Sequence, residues 1–179
     1  MPDPSQSLLP SLSGTALWLI PHPREPFQRI IRTASERYPS PTFLPHITLG
    51  STTQSPAACT FDLTQSPPKA ASFVVQKPVA GPAPYRRVYC DVHPNEAARE
   101  FIRSVKSRNP FLQFKTELHI SLMYTATEEL PRSVPSEFIP AAAAAIPDEI
   151  TVEALSITEI YGTPKQWAVH VQKSFLNFG

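Results

Sequence analysis

Hydrophobic residues recur along this chain with two periods, one typical of strands and the other typical of helices. Five short apolar runs have the length of a strand, at 15–20, 43–50, 72–79, 86–92 and 117–124. Near the C-terminus, two more apolar runs are predicted to form an antiparallel pair joined through "YGTPK", at 149–162 and 165–175.

Two segments between these runs have apolar residues on one helical face. The second of them starts near Asn95, a residue type that favours helix N-termini. The apolar positions are Phe27, Ile30, Ile31 and Ala34 in the first segment and Ala97, Ala98, Phe101, Ile102 and Val105 in the second. The predicted order is β-α-β-β-β-α-β-(α)-β-β, where the bracketed helix is the alanine run at 141–145, and this order indicates the α+β class.

Proline is frequent, with 22 residues against only 5 glycines. Because proline fixes φ and cannot donate a ladder hydrogen bond, its clusters predict loops and element boundaries. The proline clusters around the alanine run, in the passage from 131 to 147, leave that helix the least defined element. Residues 1–14 are expected to be an N-terminal tail, followed by one domain at 15–179 made of two pseudo-equivalent lobes.

Composition narrows the classes of function. The 179 residues, 41% of them hydrophobic, suffice for a sizeable core. Lysine and arginine total 16 against 15 acidic residues, so no general positive field would attract long nucleic acid or an anionic membrane. No run approaches the roughly 18 apolar residues of a membrane span, and the start "MPDPSQSLLPSLSGT" does not resemble a secretion signal. Two cysteines, Cys59 and Cys90, are expected to be free thiols in a reducing, cytoplasmic setting.

One phrase occurs twice, as "LPHITLG" at 44–50 and "LHISLMY" at 118–124. In a strand, side chains alternate between two faces, so His46 and Thr48 project together while the aliphatic neighbours face a core. His119 and Ser121 do the same in the second copy. Each copy therefore presents one imidazole and one hydroxyl on a single polar face, and two such faces would line a cleft.

That set of groups suits hydrolysis of a phosphodiester, in particular a strained cyclic phosphate. One histidine would take a proton from water while the other protonates the departing oxygen, since imidazole serves either role near neutral pH. The hydroxyls of Thr48 and Ser121 would donate hydrogen bonds to the non-bridging oxygens, where charge develops. This chemistry requires neither a metal nor a cofactor.

Simpler interpretations compete with this one. Serine and threonine are common here, so one histidine two residues before a hydroxyl residue is expected by chance, and two are not rare. Both rings could then be strand histidines whose nitrogens bond to backbone groups. His22 and His93 precede prolines and indicate loop or helix-start positions. His170 and Trp167 favour structural roles, and Arg86 and Arg87 favour a solvated strand edge.

The paired H-x-[ST]-aliphatic strands resemble those of the 2H phosphoesterases. With "ALWLIP" and the late "YGTPKQW", the chain resembles the fungal and plant cyclic phosphodiesterase branch from about Thr15 to Phe175. The resemblance implies a bilobal fold, with two antiparallel sheets facing a central cleft and helices outside. It also implies metal-independent hydrolysis of ADP-ribose 1″,2″-cyclic phosphate and of nucleoside 2′,3′-cyclic phosphates, the latter to 2′-phosphates.

By this resemblance, His46, Thr48, His119 and Ser121 match the family's four motif residues, and Tyr124 matches an aromatic residue that helps to hold the phosphate. His119 is then the base and His46 the acid. The passage at 131–147 has no counterpart in the family. The expected partner is a small cyclic phosphate, with no membrane or long nucleic acid; the sequence does not indicate an oligomeric state. Two alternatives remain: a non-catalytic module that binds a nucleotide or RNA end, and an RNA-end phosphodiesterase or 2′-5′ ligase-like enzyme.

Overall fold

The computed structural model describes residues 12–125 and 136–175, and these form a mixed α+β structure. The α+β class predicted from the sequence pattern is confirmed. Within these residues the helices are α1 (Glu25–Arg37), α2 (Glu96–Arg108) and α3 (Phe138–Ala145). The strands are β1 (Thr15–His22), β2 (Ile47–Thr52), β3 (Phe73–Val75), β4 (Val79–Ala83), β5 (Arg86–Pro94), β6 (Gln113–Phe114), β7 (His119–Met123), β8 (Glu149–Glu159) and β9 (Ala168–Ser174).

Six of the strands close into a ring. The hydrogen-bonded order is β1-β2-β7-β5-β3-β8, and the ring closes because β8 also pairs with β1. Every one of these pairings is antiparallel. The remaining strands extend the ring at three places, since β9 pairs with β8, β4 with β5 and β6 with β2.

Pairing is uneven around the ring. Strand β1 is matched along its whole length to β8, from Thr15 to His22. By contrast, β2 meets β7 through Ile47 opposite Ile120. Strand β3 meets β8 through Phe73 and Val74. The ring therefore has two short seams, and the halves they join contain β8-β1-β2 and β7-β5-β3.

The apolar faces of α1 and α2 explain where these helices lie. Phe27, Ile30 and Ala34 of α1 are buried in the main core, together with Phe101 and Val105 of α2. Helix α1 carries Glu25 in its first turn and Arg37 in its last, which complements the helix dipole. Asn95 caps α2, as predicted, because its side chain accepts a hydrogen bond from the backbone N–H of Ala98 at 2.9 Å.

Some predicted elements differ in extent. The run at 72–79 is two strands, because the chain leaves the ladder after Val75 and Pro78 offers no N–H to continue it. The alanine run is helical, as predicted, and α3 begins earlier, at Phe138. Part of the passage at 131–147 lies outside the described residues, as do residues 1–11 of the expected tail. Leu12 already exchanges backbone hydrogen bonds with Gly162, so the described fold reaches three residues before β1.

No helix within the described residues is long and apolar enough to cross a lipid bilayer. Both cysteines are free thiols, as predicted. Cys90 is fully buried on β5, and this burial raises the pKa of its thiol to about 12.

Candidate active site

The repeated phrase lies on two directly neighbouring strands, β2 and β7. Ile47 of the first copy is opposite Ile120 of the second, and both side chains are fully buried. In an antiparallel pair, continuing this register by one residue sets His46 opposite Ser121 on one side and Thr48 opposite His119 on the other. Because side chains alternate along a strand, these four residues lie together on the face of the sheet opposite to that of the two isoleucines. The two copies are thus related by an approximate two-fold axis through the isoleucine pair.

Neighbouring strands extend both faces. On the apolar face, Leu19 of β1 is opposite Ile47, and Cys90 of β5 is opposite Ile120. This apolar row is fully buried in the core cluster that includes α1 and α2. On the polar face, Trp18 is opposite Thr48 and Asp91 is opposite His119. Four strands therefore hold the two histidines on a rigid surface backed by the core.

All five residues predicted from the sequence line one cavity of about 320 Å³. The predicted residues are His46, Thr48, His119, Ser121 and Tyr124. Other polar and aromatic residues complete the wall: Trp18, Ser51, Tyr85, Lys115 and Trp167. We refer to this space as the histidine cavity. Its size lies within the range of small-molecule sites.

His46 lies just before β2 and is only 8% exposed. Its ring stacks on Trp18, with 3.7 Å between the centroids and 13° between the planes. Its Nδ1 lies 2.6 Å from the backbone oxygen of Leu44, a contact in which Nδ1–H donates and Nε2 is left as the reactive nitrogen. Burial lowers the pKa of His46 to about 4, although the Leu44 carbonyl acts in the opposite direction.

His119 begins β7 and is partly exposed. Its ring meets Tyr89 edge to face at 5.7 Å. Burial, and then the positive charge of Arg86, lower the pKa of His119 to about 4. The charge of His119 also lowers the pKa of His46, so the two rings are close enough to interact electrostatically. In the free protein, both rings are therefore neutral at pH 7.

The two motif hydroxyls differ in their partners. Ser121 donates a hydrogen bond to the backbone oxygen of Tyr85 at 2.9 Å. Within residues 12–125 and 136–175, the hydroxyl of Thr48 has no hydrogen-bond partner, so it can donate to a ligand without breaking an existing contact. Burial raises the pKa of the Tyr124 phenol, and a side-chain hydrogen bond with Ser121 partly offsets this. Ser121 therefore links Tyr124 to the chain segment before β5.

Aromatic rings form one side of the histidine cavity. Trp167 lies 5.8 Å from Trp18 and 5.7 Å from Tyr85, and Tyr124 stacks on Phe43 at 3.7 Å. The indole nitrogen of Trp167 is buried and has no hydrogen-bond partner among the described residues. A buried N–H donor without a partner is costly unless a ligand or water accepts from it. The sequence favoured a structural role for Trp167, and nothing local in "KQWAV" marks it as a cavity residue.

Lys115 is the cation that sequence reasoning missed. It lines the histidine cavity because β6 pairs with β2 and the backbone N–H of Lys115 donates to the oxygen of Leu49 at 2.8 Å. Its charge also contributes to the lowered pKa of His119. A lysine beside two histidines supplies positive charge where an anionic ligand would lie. The short, two-residue strand β6 had no detectable pattern in the sequence.

The other candidates from the sequence lie elsewhere. His22 is exposed and lies 3.4 Å from Glu153, and His170 is exposed on β9. His93 lies at the end of β5, just before the start of α2, in agreement with the helix-start prediction. Arg86 is 29% exposed and pairs with Asp91 at 3.0 Å and Glu117 at 3.5 Å; the predicted strand edge is wrong at this position, because Ala83 of β4 pairs with Arg86.

No group of three or more His, Cys, Asp or Glu side chains converges as a metal site in the part of the chain that the structure describes. No protein-family model matches the chain, and no curated protein matches it. The chemical interpretation of the histidine cavity therefore depends on its own residues.

Proposed function

We propose that this protein hydrolyses cyclic phosphates, with His46 and His119 as a metal-independent acid–base pair. The observation that carries the proposal is the cross-strand arrangement of His46, Thr48, His119 and Ser121 on one face, lining one cavity. Two imidazoles flanked by two hydroxyls provide a proton acceptor, a proton donor and hydrogen bonds to phosphoryl oxygens. The expected substrates are ADP-ribose 1″,2″-cyclic phosphate and nucleoside 2′,3′-cyclic phosphates.

The reaction proceeds in one displacement at phosphorus. His119 accepts a proton from water, whose oxygen bonds to phosphorus, while the bond from phosphorus to the ribose 3′ oxygen breaks. His46 donates its proton to that departing oxygen, which leaves a 2′-phosphate monoester. Thr48 donates a hydrogen bond to a non-bridging oxygen, and the positive charge of Lys115 balances the anion.

Two features of His46 support its role as the acid. The Leu44 carbonyl accepts from Nδ1–H, and the face of Trp18 lies 3.7 Å from the ring, so both groups stabilise the imidazolium form. His119 is the more exposed of the two rings, which suits a base that must meet water. A bound phosphate anion raises the pKa of both rings from about 4, and this makes protonation of His46 possible in the complex.

The two seams of the ring support the bilobal fold of the 2H phosphoesterases as part of the proposal. One half contributes His46, just before β2, and Thr48 of β2, and the other contributes His119 and Ser121 from β7. In this proposal each lobe supplies one motif, and the histidine cavity follows the seam at Ile47 and Ile120.

The ring of Trp167 supports a nucleotide as the substrate, because it lines the histidine cavity and offers a flat face on which a base can stack next to the reacting phosphate. Tyr85 and Trp18 provide further aromatic surface in the same cavity.

Chromatography of adenosine 2′,3′-cyclic phosphate incubated with the protein tests the proposal. Replacing His46 or His119 with alanine should lower turnover by roughly 10²- to 10⁴-fold, the loss expected for one acid or base. The matched control is His170→Ala, which removes an exposed imidazole outside the cavity. If His119→Ala retains the turnover of the wild-type protein, the acid–base pair is wrong. Binding without turnover by the wild-type protein would favour the non-catalytic alternative.

A further inference from the structure

A second, larger cavity lies next to the histidine cavity. It has a volume of about 750 Å³ and lies between α2, β5 and the chain segment that leads into β7. We call it the basic groove, after the cations that line it: Arg86, Arg99, Arg103, Lys106 and Lys115. Lys115 lines both cavities, so the basic groove and the histidine cavity adjoin at this residue.

The basic groove is more positive than the chain as a whole. Its five cations face two acidic lining residues, Asp91 and Glu117, whereas the whole chain has a net charge of only +1. The two carboxylates are both paired to Arg86, at 3.0 and 3.5 Å. The surplus of positive charge therefore lies on the cations of α2 and on Lys115.

The cations of the groove differ in how far they are already neutralised. Arg99 and Arg103 share one carboxylate, that of Glu96, at 3.4 and 2.7 Å. Lys106 lies over the ring of Phe114 at 5.9 Å. Neither Lys106 nor Lys115 has a carboxylate within ion-pair distance among residues 12–125 and 136–175. Lys106 and Lys115 therefore lack carboxylate partners there, and an anionic ligand in the groove would supply the opposite charge.

We propose that the basic groove binds a second phosphate, attached to the 5′ oxygen of the same ribose whose cyclic phosphate reacts in the histidine cavity. This inference rests on the proposed function, since it takes the reacting phosphate to lie between His46 and His119. A 5′-phosphate is one ribose away from the cyclic phosphate, and Lys115 lies where the two cavities meet. The protein therefore prefers 5′-phosphorylated substrates over nucleosides that carry only the cyclic phosphate.

Two kinds of substrate carry a phosphate on the 5′ oxygen of the reacting ribose. A 5′-phosphate belongs to the pyrophosphate of an ADP-ribose and also to the last diester of a short oligonucleotide. Both place negative charge at the same carbon of the reacting ribose, and both are consistent with a groove whose cations extend along α2 from Arg99 to Lys106.

Calorimetric titration with two stable product analogues tests the proposal without requiring turnover. Adenosine 2′,5′-bisphosphate should bind about tenfold more tightly than adenosine 2′-phosphate, the gain expected from one charge-assisted contact. The difference in affinity between the two ligands should shrink as the salt concentration is raised, because Lys106 and Lys115 are exposed. Equal affinities for the two ligands would overturn the proposal.

A double variant locates the second phosphate. Arg103→Gln with Lys106→Gln removes two groove cations that do not line the histidine cavity, and it should abolish most of the preference for the bisphosphate while leaving affinity for adenosine 2′-phosphate unchanged. The matched control is Arg29→Gln with Arg32→Gln on α1, which removes equal charge outside both cavities. If the groove variant keeps the full preference, the groove is not the site.

Two further ligands identify the source of the phosphate. An ADP-ribose phosphate monoester and a dinucleotide that ends in a 2′-phosphate should both bind more tightly than adenosine 2′-phosphate, and the ligand with the larger gain is the better model of the natural substrate. The outcomes separate the two proposals. Hydrolysis of cyclic nucleotides without any 5′-phosphate preference refutes the groove alone, whereas a bisphosphate preference without hydrolysis refutes the acid–base chemistry alone.

Discussion

The burial of His46 makes a quantitative prediction about stability at acid pH. The pKa of His46 is lowered from its ordinary value of 6.5 to about 4 in the folded protein, chiefly by burial. Between these two values the unfolded chain binds a proton that the folded protein does not, so acid favours unfolding. Stability that is present above pH 6.5 is therefore lost as the pH falls towards 4.

Linkage gives the size of this effect. For one histidine with this shift, the free energy of unfolding falls by about 2 kcal/mol when the pH is lowered from 7 to 5. His46→Gln removes the titrating ring and keeps a side chain that can donate to the Leu44 carbonyl. The variant has a fixed cost from the lost stacking on Trp18, but that cost does not depend on pH and cancels when the two pH values are compared.

Urea unfolding followed by circular dichroism measures the difference. The wild-type protein should lose about 2 kcal/mol more than His46→Gln when the pH falls from 7 to 5. His170→Gln is the matched control for removal of one imidazole, because that ring is exposed on β9. If the wild-type protein and His46→Gln lose stability in parallel, the ring titrates as it would in water, and the buried, neutral His46 described above is wrong.

Three further predictions concern the chemistry. Thr48→Val should lower kcat by roughly 10²- to 10³-fold with little change in stability, since its hydroxyl has no partner to lose in the described residues. Ser121→Ala should lower kcat and also destabilise the fold by about 1–3 kcal/mol, because the Tyr85 carbonyl loses the Ser121 hydroxyl as a donor. Equal urea midpoints for the two variants would contradict this difference in stability. Both histidine pKa values are near 4 in the free protein, so kcat/KM should fall as the pH rises from about 5 to 8. The decline in kcat should begin at a higher pH, because bound phosphate raises the pKa of His46, the acid. A kcat/KM that rises from about pH 5 to 8 would refute the step in which a protonated histidine acts as the acid. Dialysis against EDTA should leave kcat unchanged, and activity restored only by an added metal would refute the metal-independent reaction.

Much of the fold followed from local patterns. The spacing of Phe27, Ile30, Ile31 and Ala34 predicted α1 because these four residues must face a core, and all four are buried. Asn95 marked the start of α2 because its side chain suits an N-cap. Such signals depend on a few neighbouring residues, and they are readable without knowledge of the tertiary structure.

The arrangement of the strands was not readable in the same way. The sequence predicted that each histidine motif would present its imidazole and hydroxyl on one polar face, and that two such faces would line a cleft; in the structure the two motifs lie side by side on one face of β2 and β7. It did not predict that these strands are direct neighbours, with Ile47 opposite Ile120, or that β8 closes the ring on β1. Which strand pairs with which depends on contacts between distant segments, and alternation alone does not specify them.

Lys115 and Trp167 are two of the cavity residues that the sequence did not assign to the site, for a related reason. Lys115 reaches the site through a two-residue strand, too short for a pattern, and Trp167 reaches it after the turn that follows β8. An isolated lysine and a tryptophan in an apolar segment have many ordinary roles. Only the pairing of β6 with β2 and the rings around Trp167 distinguish them.

Phosphorus NMR of adenosine 2′,3′-cyclic phosphate, recorded during incubation with the protein, tests the central claim most directly, because the cyclic ester and each monoester have separate resonances. The wild-type protein should convert the cyclic resonance to that of the 2′-phosphate, and the His46→Ala variant should leave it nearly unchanged over the same time. A cyclic resonance that persists with the wild-type protein, or that disappears equally fast with the variant, would contradict catalysis by the two histidines of this cavity.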